Sequence, residues 1–265
     1  MARILSLLLG VLVLVLVLAL APLPARAFDD PPGISFFYPL NTRRPVIERE
    51  LELTVDHEKG AGGRSTDVRA AVEFPILPRW QVELEVPFIF LQERDRTAQG
   101  GPGDLEIETK VLVFDSIDPP ALVAIGVEGR LPSGSERRGL GGEAAIEPFI
   151  TGGVALGPFD VLASVAYEVN LNSHVEGPHE HELSASTALG WRVHRKFTPL
   201  VELSTITRLR GDNEDGLLNK TQVYLMPGFN VRPLPGVTFR MGLDLPLTDA
   251  RKFDYAIRSG LVIEF

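Results

Sequence analysis

No cysteine occurs anywhere in this chain, so no disulfide framework, thiolate chemistry or Cys-ligated zinc centre can hold or power it. A basic excess is missing too: 26 Lys and Arg stand against 35 Asp and Glu, a formal net charge of −9. Nucleic acid selects the opposite balance, a basic surface that neutralises phosphates, so no nucleic-acid partner is expected. Beyond residue 22 there is no run of 18 or more apolar residues, whereas a helix needs about 20 to span a bilayer. The chain after that point does not cross a membrane as helices.

What is present begins with one apolar block. Residues 4–22 carry no charge, Arg3 precedes them, and Ala25-Arg26-Ala27 offers a small-x-small site. This is the layout of an export signal cleaved between Ala27 and Phe28; the block is also long enough for a retained anchor, but Pro22, Pro24 and the A-x-A site favour removal. The expected organisation is a signal peptide over 1–27, a periplasmic N-terminal segment or partial plug over 28–47, and a β-barrel over 48–265. An exported chain without cysteine fits the Gram-negative envelope and its outer membrane.

The rest of the sequence alternates apolar and polar residues with period 2, the signature of strands. In residues 159–172, Phe159, Val161, Ala163, Val165, Tyr167, Val169 and Leu171 share one face, while Asp160, Ser164, Glu168 and Asn170 share the other. Trp80 to Phe90 and Phe239 to Leu247 repeat the pattern. About twelve segments follow: 48–56, 67–76, 80–91, 104–114, 121–131, 143–155, 159–172, 182–193, 197–209, 220–232, 237–248 and 253–265.

The breaks between them run long then short. Leu77-Pro78-Arg79, Asp118-Pro119-Pro120, Gly157-Pro158 and Leu234-Pro235-Gly236 mark tight turns, and the intervening breaks are mostly longer and polar. Short periplasmic turns opposite longer extracellular loops, with strands near the 9–11 residues a tilted span requires, give an all-β, transmembrane, antiparallel up-and-down barrel. A soluble sandwich also alternates, but its strands average about five or six residues. Aromatics support the barrel: Phe74, Trp80, Phe159, Trp191, Phe229 and Phe239 all fall on the apolar face next to short turns, as an interfacial girdle would. Phe88, Phe90 and Tyr255 fall near the opposite interface. The last strand ends on Phe265, a pattern that resembles the signal read by the barrel assembly machinery. Outer-membrane lipid and lipopolysaccharide are the expected surroundings.

Alternation assigns ionisable groups to the lumen. The acidic ones are Glu48, Glu50, Glu52, Glu73, Glu83, Glu85, Glu106, Glu108, Glu128, Glu147, Glu168, Glu182, Glu202, Asp244 and Glu264; the basic ones are Arg69, Lys110, Arg130, Arg192, Arg240 and Arg258. Such a lumen is either a narrow channel disfavouring anions or a salt-bridged core with no pore, and twelve strands lie between filled eight-stranded barrels and open sixteen-stranded ones. The segment Phe28 to Ile47, with Phe36-Phe37-Tyr38-Pro39 and Arg43-Arg44, is either a plug in that lumen or a periplasmic tail.

Several local motifs resemble the outer-membrane family of meta-pathway phenol-degradation proteins, a group of transporter-like barrels. Val86-Pro87-Phe88, Gly101-Pro102-Gly103-Asp104-Leu105-Glu106-Ile107 with Lys110, Gly129-Arg130-Leu131-Pro132-Ser133-Gly134, and Gly242 with Leu245-Pro246-Leu247 carry the likeness. It departs at Ser133, where Thr is usual, and at Val111, where an aromatic commonly follows the Lys. The resemblance implies an outer-membrane transporter of small solutes, hydrophobic or aromatic ones if it extends to substrate. Taken by themselves the residues point to structural roles: Gly for turn geometry, Asp104 to accept backbone N–H groups, and Pro132 to end a strand.

No cofactor and no catalytic residue is assigned. His174, His179 and His181, with Glu176 and Glu180, gather in one expected loop, and His57 falls in another on the same side. The spacing H-x₄-H-x-H matches no closed metal site, so a solvated loop is the expectation. Residues 210–216 are acidic but depart from calcium-loop spacing. A lipid-modifying barrel enzyme would need a His on the lipid-facing wall beside a nucleophile, and the five histidines fall in expected loops and turns. The alternatives to a small-solute channel are therefore a closed structural or adhesive barrel and, further off, such an enzyme.

Overall fold

In the computed structural model, which describes residues 34–94, 97–171, 179–211, 213 and 216–265, period-2 segments become long antiparallel strands. The expected signal peptide and cleavage site lie outside the described residues. The strands are β1 (Glu50–Gly60), β2 (Gly63–Leu77), β3 (Trp80–Glu93), β4 (Gln99–Pro102), β5 (Leu105–Ile117), β6 (Pro120–Leu131), β7 (Ala145–Leu156), β8 (Phe159–Asn170), β9 (His181–Trp191), β10 (Phe197–Arg210), β11 (Thr221–Leu234), β12 (Val237–Pro246) and β13 (Tyr255–Glu264). Apart from β4 and β5, each strand pairs with its sequence neighbours, and β1 pairs with both β2 and β13, which closes the sheet. Because β4 and β5 both pair with β3, they form one stave interrupted at Gly103-Asp104. The result is a closed antiparallel barrel of twelve staves.

The molecule is inside-out relative to a soluble protein. Leu53, Ile125, Ile150 and Leu243 are 39, 47, 49 and 40% exposed, whereas Glu50, Glu202 and Asp244 are 2, 1 and 1% exposed. Such an outer wall is stable against hydrocarbon, and closure leaves no unpaired sheet edge there. At the periplasmic end aromatic rings meet in the expected girdle: Phe159 and Trp191 stack at 6.1 Å, Phe229 lies 6.1 Å from Phe197 and 6.3 Å from Phe239, and Phe74 lies 6.1 Å from Phe265.

Two expectations need correction. The first connection is not a long loop over 57–66, since β1 and β2 keep their ladder as far as Gly60 opposite Gly63 and turn over Ala61 and Gly62. Polar residues on the outward face there (His57, Lys59, Arg64 and Thr66) hide the alternation, because the strands have risen past the apolar band. His57 is therefore strand-borne, as is His181 at the start of β9, contrary to the sequence reading. The loop at residue 100 also contributes the short β4, whose glycines have no alternation to read.

Candidate functional site in the lumen

Residues 34–49 run through the barrel interior and divide it. At the periplasmic end Phe36, Phe37, Val46 and Ile47 pack with Leu112, Leu122, Leu162, Ala188 and Leu200. Those five strand residues point inward, so the lumen has an apolar floor that the sequence reading missed; the signal was present as apolar residues on the polar face at the periplasmic ends of β5, β6, β8, β9 and β10.

Above the floor the segment is held by charge and hydrogen bonds. The Glu202 carboxylate accepts the backbone N–H groups of Leu40, Asn41 and Thr42 at 2.6, 3.0 and 2.9 Å and the Thr42 hydroxyl at 2.9 Å. Asn230 receives the Tyr38 N–H and donates to the Tyr38 carbonyl, both at 2.8 Å. The Tyr38 hydroxyl reaches Glu50 and Glu264 at 2.9 and 2.8 Å. Arg43 spreads its guanidinium over Glu108, Glu128 at 2.7 Å and Glu147 at 2.5 Å, and lies 4.3 Å from the Phe149 ring centroid.

What Arg43 contacts is part of a larger array. Register places Glu264 opposite Glu50, Glu50 opposite Glu73, Glu73 opposite Glu83, Glu83 opposite Glu108, Glu108 opposite Glu128, and Glu128 opposite Glu147. Seven glutamates thus form one continuous row across seven adjacent strands, all facing inward. Like charges directly opposite one another destabilise a sheet, and in a confined lumen they either bind cations or take up protons. Further round, Glu168 stands opposite Glu182.

The remaining luminal charges pair. Arg130 meets Glu106 at 3.1 Å and Glu168 at 2.9 Å. Arg69 pairs with Asp56 and lies 3.8 Å from Glu85, and Lys110 lies 4.0 Å from Glu73. Arg240 pairs with Glu52 and donates to the Pro39 carbonyl at 2.5 Å. Arg258 reaches Asp56, Glu58 and Asp244 at 2.9, 3.3 and 3.2 Å. Asp56, the last residue of the first expected segment and unassigned by the sequence reading, is a hub of this network. Arg192 sits at the periplasmic mouth, 3.3 Å from Asp160.

Two of the cavities beside the segment lie above its apolar floor. One, of about 350 Å³, is walled by ten acids and six bases, among them Arg43, Arg44 and most of the glutamate row. The other, of about 220 Å³, is lined by Ser164, Ser184, Ser186, Ser204 and Thr205 together with the charged Arg43, Glu147, Asp244 and Arg258 and the rings of Tyr224 and Phe253; Tyr224 and Phe253 stack at 4.5 Å. The lumen is therefore densely ionic on one side and mixes hydroxyls with fewer charges on the other.

The expected loop candidates resolve differently. His174 lies outside the described residues, His179 is exposed, and His181 meets the Tyr167 hydroxyl at 2.8 Å on the outer wall. His57 also faces outward and meets the Thr66 hydroxyl at 2.8 Å. Among the described residues one carboxylate group, Glu50, Glu52 and Glu73, is compact enough to hold a cation, but Tyr38, Arg240 and Gln81 already occupy it. Asp104 accepts the N–H groups of Gly134, Gly142 and Glu143 at 2.7, 2.9 and 2.9 Å. It ties the loop after β6 to the break between β4 and β5, which joins two of the sequence motifs structurally.

With this geometry in hand, solved structures supply the comparison. An outer membrane channel from Pseudomonas putida F1 matches with a TM-score of 0.68 over 87% of this chain and 100% of that one, at 12% identity. The fold is the outer-membrane β-barrel. The NanC porin matches at 0.57 over 81% and 98% of the two chains with 10% identity, and the KdgM porin at 0.51 over 81% and 99% with 11% identity. No protein-family model and no curated protein sequence matches the chain.

Proposed function

We propose that this protein is an outer-membrane channel for small solutes whose lumen disfavours anions. The row of seven inward glutamates carries the reading, since a ring of carboxylates in a narrow pore repels anions and concentrates cations. The segment 34–49 narrows the path to the two flanking cavities, and its Arg43 and Arg44 offset part of the row's charge. Cations and neutral polar solutes suit the ionic side. The resemblance to the phenol-degradation family adds hydrophobic or aromatic compounds to the candidate solutes.

An enzymatic reading finds less support. Around His57 the outward register positions are Thr66 and Ile257, and among the described residues no carboxylate hydrogen-bonds the His57 ring, so a triad lacks its orienting acid. A closed structural or adhesive barrel differs from a channel in conductance. On our reading the mature chain resides in the Gram-negative outer membrane after signal cleavage, inserted through the C-terminal strand that ends in Phe265. Single-channel recording of the refolded mature protein tests the proposal: cation-favouring reversal potentials are expected, and either anion preference or silence at every voltage would overturn it.

A further inference from the structure

On the outer wall, one feature does not serve the lumen. Lys59 and Arg64 stand directly opposite each other at the extracellular end of the β1–β2 hairpin. They share the outward face with Leu53, Val55 and Val68, which are 39, 39 and 36% exposed. Two cations in register repel, and no acid compensates them: among the described residues neither forms an ion pair, and the Arg64 guanidinium meets only the Gln92 amide oxygen, at 3.0 and 2.6 Å. Elsewhere the outward extracellular rim carries apolar and aromatic side chains at Leu131, Ile146, Tyr167, Leu183 and Leu247, together with His181 and the Thr207–Thr221 hydroxyl pair, which meet at 2.9 Å.

Height identifies what could satisfy the pair. Arg49, whose carbonyl accepts the Phe265 N–H at 3.2 Å, marks the periplasmic girdle. Ten residues up the strand, at about 3.4 Å each and a tilt near 40°, place Lys59 about 26 Å higher, against an apolar band about 25 Å tall. The pair therefore sits at the outer interface. Tyr255 lies opposite Lys59 on β13, and Phe90 opposite Thr66 on β3, so aromatic rings flank it at headgroup depth.

We propose that Lys59 and Arg64 form a docking site for a phosphate headgroup of outer-leaflet lipid, with the acyl chains lying along the Val55, Val68 and Phe90 surface. The anion would turn a repulsive register pair into a bridged one, using the Arg fork for bidentate phosphate contact. The site rests on the membrane orientation of the proposed function but not on the pore.

Native mass spectrometry of the refolded mature protein with diphosphorylated lipid A tests this. Wild type should retain the lipid, and Lys59→Gln with Arg64→Gln should weaken it by about tenfold for each cation removed. Lipid A stripped of its phosphates should bind wild type no better than it binds the double variant. Equal retention by the double variant, equal binding of the stripped lipid, or displacement by inorganic phosphate at concentrations equal to the lipid would overturn the proposal. Heat-modifiable migration on gels confirms that the variant is folded. Its single-channel conductance should equal that of wild type, so failure here leaves the channel reading standing, and a silent channel leaves the lipid site standing.

Discussion

Replacing Arg43 by Gln isolates the interaction on which the luminal arrangement turns. Arg43 serves Glu108, Glu128 and Glu147 at once, with its own side chain 24% exposed and theirs 9, 16 and 18%. Removing one partner of a buried ion pair costs about 3–5 kcal/mol because the orphaned charge remains desolvated; with a quarter of Arg43 still wet, we expect the low end, about 3 kcal/mol. At about 2–4 °C per kcal/mol for a chain of this size, melting in detergent should fall by about 6–12 °C. The ionic cavity, lined by ten acids and six bases, would gain one further net negative charge, so reversal potentials should move towards cations and conductance should rise as segment 34–49 loosens. Adding Glu128→Gln should recover part of the lost stability by removing one of the stranded carboxylates. Unchanged melting together with unchanged selectivity would refute the claim that Arg43 holds the segment by charge, and a shift towards anions would refute the electrostatic argument itself.

Three other outcomes follow from the same contacts. Glu202→Gln keeps the side-chain volume but exchanges one acceptor oxygen for a donor facing the Leu40, Asn41 and Thr42 N–H groups, so it should cost about 1–3 kcal/mol; hydrogen exchange should report faster amides at those three residues and unaltered ones in β13. Asp104→Asn likewise weakens the clamp on Gly134, Gly142 and Glu143, and limited trypsin digestion should then cut sooner after Arg137 and Arg138 in the released loop. Gly190→Ala places a methyl group 2.6 Å from Cε1 of Phe37, an overpacking of about 1–3 kcal/mol; the expected result is displacement of the apolar floor, read as a rise in conductance without a change in cation preference.

Much of the architecture was legible because period 2 is local information. Phe159 to Asn172 or Trp80 to Phe90 betray a two-faced strand with no knowledge of neighbours, and Gly157-Pro158 or Pro235-Gly236 mark a turn on their own. Local reading failed where its signal fades. At the rim, Lys59 and Arg64 obey no apolar alternation, so the β1–β2 hairpin looked like a loop. At the floor, Leu112, Leu122 and Leu162 are apolar residues on a face assumed to be polar, and only the packing of Phe36 and Phe37 against them explains their choice.

The sequence by itself determined the chemistry of the wall: an apolar face for lipid, an acidic excess inside and aromatic rings near the turns. Tertiary structure alone decided how those charges meet. Alternation says that Glu50, Glu73, Glu83 and Glu108 point inward, but strand register makes them neighbours in a single row, and register depends on hydrogen bonding between strands. The fate of residues 34–49 was equally undetermined, because an irregular segment has no period to read. Its place in the lumen follows from long-range partners, Glu202, Asn230 and the glutamates around Arg43, more than sixty residues away along the chain.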